Sequence, residues 1–475
     1  MIHALNGDGG GRHEAKGVNE IGEFIFLMKL AIDDGPTAQR FQRGGDLGLC
    51  RLMSHDYLIV VVCWYLMSQL LPRLRGNLDL MPSPVEDRPG LLIRDGYHYT
   101  PTTLIIPPLL AACLELFDGQ HSVREMKDRL YELTDDLEAS GLADHLLDTL
   151  DKAGFLENET YFAIRDDAHR GFAETPVRYA AHSGTGYPGD AVQLNDVFGQ
   201  YMSDDAGIGP LVRPAKLIGI AAPHVSPFGG WESYQAAYRL LTPADRDRVF
   251  VVLGTSHYGE PDRFGLTRKP YLTPYGAART EVAMVDRLEK EGGAAVAMED
   301  YCHSFEHSIE FQIAFLQHMC GPDIRILPIL CGSFARSIYE GGKPEANDDV
   351  KRFLGALGDL NAREADRLMW VLGIDMAHMG NRYEDQHPAV AGEGEMVEVE
   401  QRDRNRIQSM NAGEVDAFWS QVQGSKGDDL KWCGSSPVYT FMKAVPEARG
   451  LLQRYQQWNI DEQSVVSFAG IAYQR

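Results

Sequence analysis

From residue 215 onward the chain alternates short apolar runs with helical patterns, and this alternation restricts its fold more than any other feature. Apolar runs occur at 217–222 (LIGIAA), 249–253, 324–330, 368–374 and 465–472. Each has the length and continuity of a strand buried on both faces. Helix-periodic segments lie between several of them, at 232–241, 281–291, 306–319 and 437–445. Strands alternating with helices predict an α/β domain over 213–475, with a mixed or largely parallel sheet covered by helices on both faces.

Three stretches precede it. Residues 67–165 read as a small winged-helix-like module. A strand at 90–94 and a turn at Asp95-Gly96 come first, then an apolar helix over 105–117 entered through Pro107-Pro108. Ser122 is placed to cap the next helix, and a further one over 142–153 ends at Gly154. Phe155-Leu156 and residues 161–164 are expected to close the module as a hairpin wing. Residues 166–212 read as a connector carrying His182-Ser183-Gly184-Thr185-Gly186-Tyr187-Pro188 and a helix at 194–202. Residues 1–66 are glycine-rich and lack clean periodicity, so they are expected to be an upstream extension outside the fold.

Charge narrows the partners. The formal net charge is −23, which argues against nucleic acid and anionic membrane. The first module has nine basic and seventeen acidic residues between 73 and 165, a net −8, so a protein or peptide suits it better than DNA. The strongest apolar run, 57–67, falls short of the roughly 18–20 residues a membrane span needs. It also lies far from the start of the chain and lacks a basic flank there, so no signal peptide is expected. The seven cysteines are odd in number, irregularly spaced and free of CxxC pairs, which predicts a reduced, cytoplasmic setting.

Candidate reactive residues sit where the strands end. LIGIAA runs into Pro223-His224, VFVVLG into Thr255-Ser256-His257, and LMWVLGI into Asp375 with His378 three residues on. Ligands of open α/β sheets bind at the carboxyl ends of strands. Cys433 stands just before a predicted helix, whose dipole favours a thiolate. Two imidazoles and a thiolate suit iron, copper or zinc. The segment from His303 to Glu310 places His303 with His307, and Glu306 with Glu310, at i,i+4. Glu306, His307 and Glu310 are therefore candidates to support and orient the ligating imidazoles. Singly, each of these residues reads as an ordinary loop, core or surface group. Their convergence carries the reading, since seven of the fifteen histidines lie between 224 and 387. His318 and His387 read as surface or core residues, and Cys302, Cys320 and Cys331 as structural.

The same residues carry a resemblance. AAPHVSPFGG (221–230), LGTSHYG (253–259), LTPYG (272–276), FEHSIEFQIAFLQ (305–317), GIDMAHMG (373–380) and WCGSSPVYTFM (432–442) are similar, in order, to the motifs of the Memo family over about 178–475. The LFDGQHSVREM stretch resembles the N-terminal extension of its prokaryotic branch, AmmeMemoRadiSam system protein B. The resemblance implies a fold related to class III extradiol dioxygenases. It also implies a redox-active iron or copper at His224, His257 and Cys433, with Asp375 and His378 as further pocket residues. An AMMECR-domain protein and a radical-SAM protein are the implied partners. Two departures stand out. Val225-Ser226-Pro227 replaces the common Ala-Gly-Tyr, and Gly373-Ile374-Asp375 replaces the common Ser-Ser-Asp. Both alter the pocket, and a cysteine in place of the dioxygenases' usual carboxylate weakens any carry-over of ring cleavage.

The leading expectation is a metal-dependent oxidoreductase acting on an unknown small molecule. His224, His257 and Cys433 would hold the metal, and His378, supported by Asp375, would move a proton. The alternative is a non-catalytic metal- or peptide-binding partner in an AMMECR-domain/radical-SAM system. A metal-dependent hydrolase is weaker, because no HExxH-type general base is present.

Overall fold

The structure is a computed structural model that describes residues 70–203, 211–425 and 427–475. The expected extension, 1–66, lies outside the described residues. The chain divides into two compact units, with the boundary after Ile164. No helix among the described residues is long and apolar enough to cross a membrane.

The first unit opens with a three-stranded antiparallel sheet, Leu78–Pro82, Leu91–Asp95 and Thr103–Ile106. The helices Val123–Thr134 and Ser140–Lys152 follow. Ile93, Met126, Leu130, Leu150 and Phe155 are fully buried between them. Asp95 organises the turn after its strand: its carboxylate accepts the N–H groups of Tyr97, Tyr99 and Thr100 and pairs with the buried Arg75 at 2.9 Å. Ser122 caps the first helix in a capping box, its Oγ accepting from the Glu125 N–H while Glu125 accepts the Ser122 N–H.

Two expectations for this unit are corrected. The apolar run at 105–117 is not one helix. It begins in the strand Thr103–Ile106, and the Pro107-Pro108 pair allows only the single turn Pro108–Ala111 before a 3-10 turn. Residues 161–164 are not a hairpin strand but part of the helix Glu159–Glu174. Asn158 starts that helix by accepting the Tyr161 N–H on its side chain and the Phe162 N–H on its carbonyl.

The second unit is built on an eleven-stranded mixed sheet. At its centre Val249–Thr255 runs parallel to Arg325–Cys331 on one side and to Leu368–Gly373 on the other. Leu217–Ala222 adds in parallel beyond Leu368–Gly373. Every residue of VFVVLGT is buried, as a continuous apolar strand between two helical layers must be. Ser464–Gln474 then pairs antiparallel with Leu217–Ala222, and the long, polar Arg449–Asp461 pairs antiparallel with it. The short strand His378–Gly380 joins the start of Ser464–Gln474. Within the stretch expected as a connector, Arg178 forms a parallel β-bridge with Tyr271 of this unit.

The helix His307–Cys320 lies across the carboxyl ends of the central strands and is buried along nearly its whole length. Two glycines let it approach. A Cβ on Gly254 would come within 2.5 Å of Ser308 Oγ, and one on Gly373 within 2.2 Å of the Ser308 carbonyl oxygen.

Two outcomes follow. Ser122→Ala lowers the stability of the first unit by about 1 kcal/mol, read by urea unfolding of the intact chain. Gly373→Ala meets backbone rather than a movable side chain, so it destabilises the second unit by about 1–3 kcal/mol. An unchanged melting temperature in that variant contradicts the close approach.

Candidate metal centre

Two parallel strands end in histidines that turn toward each other. His224 follows Leu217–Ala222 and His257 follows Val249–Thr255, with their ring centroids 5.0 Å apart. His307, the first residue of its helix, completes a triangle, 5.1 Å from His224 and 5.0 Å from His257. One nitrogen from each ring lies within 4.8 Å of the other two, a trio that could hold a metal ion. The sequence reading gave His307 only a supporting place on the helix. It joins the trio as the first residue of the helix His307–Cys320, with its ring beside those of His224 and His257.

Each ring is tied at Nδ1. His224 Nδ1 donates to the Gly373 carbonyl at 2.9 Å. His257 Nδ1 lies 3.0 Å from both oxygens of Glu306, and His307 Nδ1 lies 3.2 Å from Glu306 Oε1. Such bonds select the tautomer and leave Nε2 as the donor atom, the arrangement that orients imidazoles toward metals. Glu306 is itself the N-cap of the helix, its carboxylate accepting the N–H groups of His307 and Ser308. It also accepts the His257 N–H at 3.0 Å.

Cys433 reaches the same place from the turn before the helix Ser435–Ala444. Its Sγ lies 3.3 Å from His224 Nε2. Burial alone would raise the thiol's pKa, but the charges of His224 and then His378, together with hydrogen bonds from His224 and His257, hold it well below the ordinary thiol value. The partners shift reciprocally. Burial would depress His224, yet the Asp375 carboxylate and Cys433 raise it to about 9. His257 is likewise raised well above the usual imidazole value against burial, chiefly by Glu306. Glu306, also against burial, is held well below the carboxylate range by His257. The cluster thus pairs a sulfur and a carboxylate, both pushed toward their charged forms, with imidazoles pushed toward theirs. A sulfur held toward thiolate and imidazoles that give up their Nε2 protons on binding are donors that suit a soft-to-borderline metal.

Asp375 and His378 are near the cluster but not paired with each other. Asp375 Oδ1 accepts the N–H groups of His224 and Val225, and Oδ2 lies 3.4 Å from His224 Nε2. It therefore braces His224 and does not support His378. His378 Nδ1 donates instead toward the carbonyls of Met376 and Lys431, at 2.9 and 3.1 Å, with Tyr383 edge-on to the ring at 4.9 Å. Its basic nitrogen is thereby Nε2.

Two residues of the His303–Glu310 segment face elsewhere. His303 is fully buried between the Tyr271 hydroxyl and the Gly265 carbonyl. Glu310 is one helical turn from Glu306 but has other side-chain partners. It pairs with the buried Arg178, accepts the Tyr187 hydroxyl at 2.5 Å, and accepts the N–H groups of Ala181 and His182. Arg178 also donates to the carbonyls of His303 and Glu306. This ion pair, which sequence reasoning missed, locks the His182–Pro188 turn beside the cluster. His182 packs edge-on against His307 at 5.7 Å. A lone arginine ahead of a glycine-rich turn gives no sequence signal of that kind. The turn also lines a cavity of about 500 Å³, together with Tyr201, Pro227 and Phe228.

Fold and site together define a class: an α/β protein that gathers imidazoles, a thiol and their bracing carboxylates at the carboxyl edge of a mixed sheet. A family model described as Memo-like protein matches residues 178–472, and the chain belongs to that family. A MEMO1 family protein of Aquifex aeolicus is 22% identical over 296 residues, 62% of this chain and 74% of its own. One from Methanosarcina acetivorans is 24% identical over 49% of this chain and 85% of its own. One from Ignicoccus hospitalis is 31% identical over 40% and 70%. The crystal structure of an uncharacterized protein from Escherichia coli K12 is 16% identical and spans 54% of this chain and 99% of its own, at a TM-score of 0.34, too low to draw on.

The Arg178–Glu310 pair gives a measurable outcome. Removing one partner strands a buried charge, so Arg178→Met costs about 3–5 kcal/mol. The double variant Arg178→Met, Glu310→Leu recovers part of that loss. Denaturant unfolding of the three proteins checks it, and additive losses count against a paired role.

Proposed function

We propose that this protein is a metal-dependent oxidoreductase, dioxygenase-like in its site, that binds one iron or copper ion and acts on a small molecule. The observation that carries the reading is the set of imidazoles tied at Nδ1 and facing a thiolate. A purely structural histidine cluster has no need to leave its Nε2 atoms turned toward one another and toward sulfur. His224, His257 and Cys433 are the ligands, with His307 adjoining them. A bound iron or copper would supply redox chemistry and open coordination positions.

The chain's own residues do the rest. Glu306 fixes the tautomer of His257 and His307, and Asp375 fixes the loop that carries His224. His378, with Nε2 as its basic atom, accepts or returns a proton at the substrate. The substituted Val225-Ser226-Pro227 segment and the 182–188 turn shape the approach, and they separate the substrate from that of the ring-cleaving enzymes.

A second reading draws on the first unit, which is acidic and leaves Leu137 78% exposed. In that reading the protein is a non-catalytic binding partner of an AMMECR-domain protein and a radical-SAM protein. Oxygen consumption with added Fe(II) and reductant separates the two readings. It falls in His378→Ala if the protein is an enzyme and is unaffected if it only binds.

Metal content tests the site itself. Protein purified without chelator carries a single ion per chain, and His257→Ala and Cys433→Ser lose most of it. Glu306→Gln keeps the ligands but weakens affinity about 10–100-fold. Equal, substoichiometric metal in wild type and all variants ends the proposal.

A further inference from the structure

The segments that deliver Asp375, His378 and Cys433 meet behind the cluster on one buried carboxylate. Asp403, on the helix Glu395–Ala412, is fully buried. Its Oδ1 accepts the indole N–H of Trp432 at 2.6 Å. Its Oδ2 accepts the hydroxyls of Tyr455 at 2.8 Å and Ser467 at 2.5 Å. Trp432 is the residue before Cys433. Ser467 holds the stretch between Asp375 and His378 by three bonds. Its Oγ accepts the Ala377 N–H, its own N–H donates to the Ala377 carbonyl, and its carbonyl accepts the Met376 N–H.

One turn along the same helix, Arg406 reinforces the arrangement. It pairs with Asp428 at 2.9 Å and lies over the Trp432 indole at 5.3 Å. Asp428 in turn accepts the Trp432 N–H at 3.0 Å. Trp432 is thus held at its indole N–H, its ring face and its backbone N–H, each referred to one helix. The two clamped segments also touch each other, since the Gly434 N–H donates to the Asp375 carbonyl at 3.1 Å.

A buried carboxylate is a costly way to fill space, because its charge leaves water. A leucine would pack there without that cost. What Asp403 offers that leucine does not is three directional bonds from three chain segments. We propose that Asp403 is a positioning residue for the metal centre, fixing Cys433 and His378 relative to His224 and so setting the affinity of the site. This rests on the metal-binding reading above.

The test compares wild type, Asp403→Asn, Trp432→Phe and, as a control for general destabilisation, Val285→Ala, a core truncation in the helix Val282–Gly292. Asparagine keeps the shape but turns an amide N–H₂ toward groups that are themselves donors. Trp432→Phe removes one bond and is the milder variant should Asp403→Asn fold poorly. Two quantities are measured: hydrogen exchange of the metal-free proteins across 372–380 and 427–436, and Co(II) binding followed by its thiolate absorption band. In Asp403→Asn both segments exchange at least about tenfold faster and Co(II) affinity falls about 10–100-fold. Trp432→Phe shifts both in the same direction by less, and Val285→Ala leaves Co(II) affinity and its band unchanged. Unchanged exchange, or faster exchange with undiminished Co(II) affinity, overturns the proposal. A wild-type protein that binds no Co(II) removes the metal reading and this inference together. Wild type and variants that bind equally well remove only the inference.

Discussion

One buried anion holds the site together. The Glu306 carboxylate caps the helix His307–Cys320, receives the backbone N–H of His257, and takes the Nδ1 atoms of both His257 and His307. Burying that charge is tolerable because it meets the positive end of the helix and the N–H donors of the histidines at once. The consequence is geometric. The start of a helix, the end of a central strand and the orientation of two rings share one reference point. None can move without breaking bonds that a buried carboxylate cannot replace with water.

The sheet explains why this assembly stands where it does. Parallel strands buried on both faces leave polar groups only at their ends, where loops must satisfy what the ladder no longer pairs. Here the loops do so with side chains. Asp375 takes the amides that follow Leu217–Ala222, the Gly373 carbonyl accepts the His224 Nδ1–H, and Ser308 Oγ donates to the Thr255 carbonyl. Gly254 and Gly373 then admit the helix close enough for these bonds to form. The reactive groups are therefore part of how the strand ends are closed, and stability and site geometry are hard to alter separately.

Much of this was legible from residue order alone, for identifiable reasons. The five apolar strands and the histidines that follow two of them stand out because continuous apolar runs have few other solutions. The strand Arg449–Asp461 was missed because its sequence, RGLLQRYQQWNID, is polar and pairs with a single strand among the described residues. The helices Asp348–Glu364 and Glu395–Ala412 were missed amid charge-rich sequence. Within the site, sequence brought together His224, His257 and Cys433 but misread what braces them. Asp375 was expected to serve His378 because it is three residues away. It serves His224, 151 residues away, because a parallel sheet sets the two strand ends side by side. Glu310 was grouped with Glu306 by helical spacing. Yet two residues a turn apart at a helix start take different partners when one is the cap and the other lies inside the helix. Pairings across a fold are invisible to spacing, and Arg178 with Glu310 is the clearest case.

The departures from the family motifs can now be given physical meaning. Any side chain at 373 would place a Cβ within 2.2 Å of the Ser308 carbonyl oxygen, so the glycine admits the helix there. At 225–227 the change puts a proline at the first turn of the helix Pro227–Tyr238 and leaves Phe228 exposed on the cavity beside the 184–189 turn. Both replacements alter the scaffold around His224. Neither touches a group that faces the cluster, since His224 keeps its bond to the backbone carbonyl of residue 373, which any side chain there would still provide.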